Sequence, residues 1–299
     1  MNGIRNVVTG VDFSESSLLA LQYSAELAVR HSAKLWVVHA CEETPIAAMP
    51  LTQPMGDGEL RGLLDARVEE VIARSHIDRR ILDMEIRLMP PRPAQALLDA
   101  TVALEEPVIV VGHRGKGMLE RLFLGSVAAD VVRNARHPVL VIRRRRNALP
   151  KHVLAAVDFS PLAPKVLRTA YDWASRAHAG LTVLHVMPFP PVIDGYMVGP
   201  SIVGSPHLDE PVDEEATKGR LRELVDETLG SGCDVGIEVR QGVSDVEIHY
   251  VADVVGADLT VVGCNGHRGL SSLILGNTAV RILQDAVSSV LVVRPDERQ

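Results

Sequence analysis

Aromatic side chains are scarce in this 299-residue sequence: Phe, Trp and Tyr together make up 3% of it. A core built from large rings is thereby excluded, and Val, Leu, Ile and Ala must supply the buried surface. Cysteines are few as well. Cys41, Cys233 and Cys264 show neither metal-ligand nor redox-pair spacing. Reduced thiols in a cytoplasm are the simplest account of them. There is no excess of positive charge. A formal charge of −7 argues against broad nucleic-acid binding. No basic-plus-apolar leader and no long uncharged apolar run is evident, so neither a signal peptide nor a membrane span is expected.

What is there fits an ordinary water-soluble domain protein, with 46% hydrophobic and 23% charged residues. The length suggests two domains or one large one, and each half is long enough to bury its own core.

Read in order, Ile4 to Val11 is a β-branched run ending in Asp12-Phe13-Ser14. It predicts a strand that stops at Asp12, with Ser14 as a helix cap. Leu18, Leu19, Leu21, Ala25, Leu27 and Ala28 recur at helical spacing up to about Ser32. Leu35 to His39 is a second strand. Pro45 to Gly58 is aperiodic and predicts a loop. Leu60 to about Ile77 is a charged helix, and Met84 to Met89 a third strand. Pro90, Pro91 and Pro93 form a turn that starts a helix over Ala94 to Leu104. Val108 to Val111 and Val139 to Ile142 are the fourth and fifth strands, with a helix over 127–136 between them. Strands that alternate with helices imply a parallel sheet covered on both faces.

From Lys151 the pattern restarts. RNVVTGVDFS at 5–14 matches HVLAAVDFS at 152–160. Asp12 pairs with Asp158 and His39 with His185 at an offset of 146 residues; Gly112 pairs with Gly263, Gly125 with Gly276 and Arg143 with Arg294 at 151. The extra residues belong in the Pro/Gly-rich stretch Pro188 to Pro211. The chain is a tandem duplication. The expected domains are 1–146 and 151–296, joined by a linker that carries Arg143 to Arg146. Four arginines in a row read first as a solvated linker, since few aromatics and an acidic total disfavour a nucleic-acid patch.

The chemistry sits after the fourth strand of each half. Residues 108–126 read VIVVGHRGKGMLERLFLGS, and 259–277 read LTVVGCNGHRGLSSLILGN. Gly112, Gly115 and Gly125 recur as Gly263, Gly266 and Gly276; Ser126 becomes Asn277. This is strand, glycine loop, helix start. Glycines let a ligand approach the backbone, and amides freed at a helix start favour an anion. A hydroxyl there can cap the helix and donate to a phosphate oxygen. Ordinary turns and a Ser cap are the bland account. One short glycine motif would not decide between them, but two copies of one spacing are hard to blame on chance.

VDFS at the first strand end, VVHA or VLHV at the second and G-x2-G-x9-G-S after the fourth together resemble the universal stress protein family. The resemblance covers nearly the whole chain, twice. It implies an α/β fold: two tandem open five-stranded parallel sheets, order 3-2-1-4-5, helices on both faces, adenine nucleotide alpha hydrolase-like. That order sets strands one and four side by side where the winding reverses, and ligands of open α/β sheets bind there. In the ATP-binding branch, the residue at Asp12 holds the adenine end. The residue at Ala40 touches the base through its backbone. Those at Gly112, Gly115, Gly125 and Ser126 cradle ribose and phosphates. The second half keeps Asp158, Val186, Gly263, Gly266 and Gly276, while Asn277 puts its phosphate contact in doubt.

The implied ligand is ATP or a related adenine nucleotide, with Mg2+ an optional companion of the triphosphate. Arg114 and Lys116 are candidate charges near the phosphates, with solvated loop side chains the alternative. His39 and His185 read as buried structural histidines, His113 as a loop donor rather than a base, and Cys264 as a candidate redox thiol. The terminal strands of the two halves are expected to pair within one chain as a pseudo-dimer, with a further homodimer open. The resemblance implies a cytoplasmic stress-response sensor acting through unidentified protein partners. A weak ATPase or nucleotidyl transferase, and a scaffold for a non-nucleotide ligand, stay open.

Overall fold

The computed structural model describes residues 3–40, 57–74, 77–115, 124–143, 150–189, 192–193, 196–197, 213–264 and 276–295. The first half runs β1 (Asn6–Gly10), α1 (Glu15–His31), β2 (Lys34–Ala40), α2 (Asp57–Arg74), β3 (Met84–Met89), α3 (Pro93–Asp99), β4 (Pro107–Gly112), α4 (Ser126–Asn134) and β5 (Val139–Ile142). The second runs β6 (His152–Val157), α5 (Ala163–Ala177), β7 (Gly180–Met187), β8 (Val192–Ile193), β9 (Tyr196–Met197), α6 (Glu214–Leu229), β10 (Gly236–Gln241), α7 (Ser244–Val254), β11 (Leu259–Gly263), α8 (Asn277–Asp285) and β12 (Ser289–Val293). β8 and β9 form a small antiparallel ladder of their own. It occupies the stretch assigned to the inserted residues. The predicted 45–58 loop lies outside the described residues up to 56.

Local chemistry sets the helix ends. Ser14 caps α1, its side chain accepting from the Ser17 amide, and Ser32 closes it in the left-handed conformation at φ 50°. Asp213 caps α6 through the Ala216 amide at 3.0 Å. Pro93 opens α3. That helix stops at Asp99, short of the predicted Leu104. There the chain tightens into i→i+3 bonds, and Thr101 Oγ1 donates to the Leu98 carbonyl at 2.6 Å.

Within each half the strand order is the predicted 3-2-1-4-5, all parallel: β3-β2-β1-β4-β5 and β10-β7-β6-β11-β12. The halves do not stay separate sheets. β5 and β12 pair antiparallel, with Val141 opposite Val290, Leu140 opposite Leu291 and Val139 opposite Val292. One ten-stranded sheet results. Leu140 and Leu291 are repeat-equivalent positions, so a pseudo-twofold axis passes through their contact. Edge strands that would otherwise invite foreign pairing are consumed in this seam.

Two apolar layers cover the sheet. One lies beneath α1, α2, α5 and α6, and the other beneath α3, α4, α7 and α8; each runs through both halves. Seam side chains such as Leu140 and Val292 are fully buried, each worth about 1.5–3 kcal/mol to the folded chain as a whole. Among the described residues no helix is long and apolar enough to cross a membrane.

Candidate functional site

β1 and β4 are hydrogen-bonded neighbours, from Asn6 opposite Pro107 to Thr9 opposite Val110. Their connections leave in opposite directions, so their carboxyl ends flank an open crevice. A cavity of about 460 Å³ lies there, lined by Gly10, Asp12, Ala40, Leu97, Gly112, Arg114, Gly115, Gly125 and Ser126 among others. That size suits a drug-sized ligand.

Asp12 forms one wall. Its Oδ1 accepts the Ser14 amide at 2.9 Å, and its own amide donates to Ser17 Oγ at 3.3 Å. Between them Phe13 is left-handed, at φ 61°. This conformation is costly for an aromatic residue. The turn is held from below by His39, whose Nδ1 lies 2.6 Å from the Val11 carbonyl and whose ring packs on Phe13 at 5.4 Å. The second half repeats the device: Phe159 at φ 56°, His185 Nδ1 2.8 Å from the Val157 carbonyl, and rings 4.4 Å apart. Both histidines are therefore structural, as expected, though half-buried rather than buried.

The opposite wall is glycine loop and helix start. A Cβ on Gly112 would lie 2.6 Å from the Ser16 backbone, so β4 meets the first turn of α1 with no space for a side chain. A Cβ on Gly115 would meet Asp12 Oδ2 at 3.0 Å, which places the loop beside the carboxylate. Gly125 donates its amide to the His113 carbonyl at 2.7 Å. Gly125, not Ser126, is the N-cap of α4, and no side chain among the described residues caps that helix. The predicted Ser cap is thus corrected: Gly125 takes the extended cap conformation, and Ser126 becomes the first helical residue. Among the described residues, the first-turn amides of α4 are left without a side-chain acceptor at the cleft. Arg114 lines the same cleft, and its Nε is buried with no hydrogen-bond partner among the described residues.

His113 is not a donor in this cleft. Its ring is buried and both ring nitrogens lack partners among the described residues. Burial, with Arg143 and Arg114 nearby, pushes its pKa down to about 4.

The second crevice has the same plan and less room. Its cavity is about 170 Å³, lined by Asp158, Val186, Gly263, Cys264, Gly276 and Thr278 among others. Two substitutions at repeat-equivalent wall positions add carbon to it: Ala156 stands for Gly10 and Val186 for Ala40, while Ile248 stands for Leu97 at equal size. Gly276 is the N-cap of α8 and again makes no side-chain cap bond. Asn277 is the first residue of α8, and not its cap. Gly266 and Lys116 lie outside the described residues.

The model of the Universal stress protein family matches this chain twice, over residues 3–143 and 150–294. The chain belongs to the universal stress protein family. A universal stress protein of Mycolicibacterium smegmatis is 27% identical over 304 residues, covering 97% of each chain. Universal stress protein Rv2005c of Mycobacterium tuberculosis is 28% identical over 298 residues, covering 96% of each. Two solved structures share the fold of the whole chain. One is PA1789 of Pseudomonas aeruginosa, described as functionally unknown (TM-score 0.71, 21% identity, 99% of this chain and 94% of that one). The other is a universal stress protein of Archaeoglobus fulgidus (TM-score 0.66, 19% identity, 97% and 98%).

In this universal stress protein the first cleft gathers all six first-half candidates: Asp12, Ala40, Gly112, Gly115, Gly125 and Ser126. The second gathers Asp158, Val186, Gly263 and Gly276. Sequence reading missed Gly10 and Leu97. A Cβ on Gly10 would lie 2.9 Å from a Leu97 methyl. The signal was present, because Gly10 aligns with Ala156 in the repeat.

Proposed function

We propose that the first cleft binds an adenine nucleotide, ATP among them, and that the second takes a smaller ligand or none. One observation carries this reading. The α4 amides and the Nε of Arg114, neither with a side-chain partner among the described residues, border a cavity of about 460 Å³ that the Asp12 carboxylate also lines. A polyanionic tail meets amide donors at one end. Asp12 accepts hydrogen bonds from base or sugar donors at the other. No group of three metal-binding side chains occurs among the described residues, so a Mg2+ entering with a triphosphate would be held chiefly by phosphate oxygens and water.

The protein acts in the cytoplasm as a nucleotide-responsive adaptor, with domains at 1–146 and 151–296 and protein partners that read the bound state. Mass spectrometry of ligand released from freshly purified protein, followed by titration calorimetry with ATP, tests it. One adenine nucleotide per chain is expected. Asp12→Asn preserves the turn acceptor and should weaken binding roughly 10-fold or more, because an ionised acceptor is lost. Absence of any adenine nucleotide affinity at millimolar ATP would sink the reading. Two equal sites would overturn the assignment of the second cleft.

A further inference from the structure

Arg143 follows β5 and Arg294 follows β12. They are repeat-equivalent, and each reaches out of its own half. Arg294 donates through Nη2 to the Val132 carbonyl on α4. Arg143 donates through Nη1 to the Gln284 carbonyl on α8 at 2.7 Å. Both acceptors are among the last four carbonyls of their helices, which have no partner inside the helix. A cation there also sits at the negative end of the helix dipole. The Arg294 contact is no surface pairing. The side chain is 1% exposed, with Cys264 of the second cleft beside its guanidinium.

The opposite end of α4 supplies Gly125, Ser126, Val127 and Ala128 to the first cleft. The opposite end of α8 supplies Gly276, Thr278 and Ala279 to the second. Each helix has nine residues, about 13 Å of rigid rod. A tilt or slide at its carboxyl end therefore moves the amides that face the cleft. We propose that Arg294 is a positioning residue for the first cleft and Arg143 its counterpart for the second. Each half, from outside, fixes the anion-facing helix of the other. For the first cleft, this rests on the reading of that cleft as a nucleotide site.

The test uses the full chain. Arg294→Met keeps the apolar bulk and removes the donors; Arg294→Lys keeps a charge. Leu291→Ala loosens the seam from the apolar layer on the opposite face of the sheet from α4 and serves as the control. Without ligand, exchange of the hydrogen-bonded amides of residues 129 and 130 should accelerate by about 3–10-fold in Arg294→Met, the worth of one lost hydrogen bond. The Kd for ATP should rise by a similar factor, and Arg294→Lys should recover most of both effects. Unchanged exchange at 129 and 130 in Arg294→Met overturns the proposal. So does a Leu291→Ala variant that reproduces both effects, since a general loosening would then suffice. If wild type binds no ATP, the nucleotide reading fails alone and the exchange comparison still decides the role of Arg294.

Discussion

Gly112→Ala and Gly115→Ala differ by one methyl each at positions three residues apart, and they should fail in different ways. At Gly112 the new Cβ would lie 2.6 Å from the carbonyl carbon and oxygen of Ser16. Ordinary carbon contacts begin near 3.5 Å, so about 0.9 Å must be found. The obstructing atoms are backbone in the first turn of α1, which Ser14 pins, and no side chain can swing aside. Overpacking of this kind costs about 1–3 kcal/mol, which corresponds to a Tm fall of roughly 2–10 °C for a chain of this size. At Gly115 the Cβ would meet only the Asp12 Oδ2 atom, at 3.0 Å. A few tenths of an ångström of carboxylate rotation relieves that contact. Tm should then stay within about 1 °C, while ATP affinity drops because the displaced group is the cleft wall. Scanning calorimetry on both variants, paired with ATP titration, separates the two outcomes. Equal Tm losses in both, or a Gly112→Ala variant as stable as wild type, would refute the assignment of these glycines.

His113 has a folded-state pKa of about 4, below its ordinary 6.5. Between those values the unfolded chain binds a proton that the folded chain does not, so stability is intact above about pH 6.5 and lost as pH falls towards 4, by up to about 3 kcal/mol. His113→Cys, the residue found at the equivalent position of the second half, should shift the acid-unfolding midpoint to lower pH, and an unmoved midpoint would contradict this. A methyl added to Gly62 in α2 or to Gly219 in α6 would meet nothing within 4 Å. Replacing each by Ala should stabilise the protein by about 0.5–1 kcal/mol, read as a higher denaturant midpoint. Finally, Ala40→Val with Gly10→Ala copies the walls of the second cleft into the first. ATP binding should fall by at least 10-fold, and retention of affinity would show that wall volume is not what separates the clefts.

Much of the fold was legible because duplication gave each signal twice. The matched strand ends at Asp12 and Asp158, and the twin glycine spacings, marked the crevice walls, and the strand order implied by the family resemblance brought those walls together. The all-apolar run Val108 to Val111 marked a central strand, and β4 is buried along all but its last residue. Other features depend on three dimensions. Sequence put Ser126 at the helix cap because hydroxyls favour that place. The tight approach of Gly125 to the His113 carbonyl moved the cap one residue earlier. His113 lies next to a cleft glycine in sequence, yet its ring is buried without partners among the described residues. The left-handed Phe13 and Phe159 were invisible, since aromatic residues carry no preference for that conformation. Arg143 and Arg294 were seen as markers of the repeat, and Arg143 also as the start of a solvated linker, which its part-buried bond to the Gln284 carbonyl corrects. Their reach across the seam follows from β5 pairing antiparallel with β12, a fact of packing that neither half encodes by itself.

That antiparallel seam explains why the two clefts can differ. Two separate copies meeting through β5 would be identical, and their union would depend on concentration. Joining them in one chain makes the pairing intramolecular and lets each crevice change alone. The second crevice has gained carbon at Ala156 and Val186 and keeps well under half the volume of the first. What it has not lost is Arg294 on the first half's α4. A half that no longer accommodated nucleotide would still be retained for its share of the seam and for that contact. On this argument, deletion of the second half should cost the first more than solubility. Residues 1–146 expressed alone would expose the apolar β5 edge and leave the Val132 carbonyl without its donor. A monomeric 1–146 fragment that bound ATP as tightly as the full chain would show that the second half contributes nothing to the first cleft.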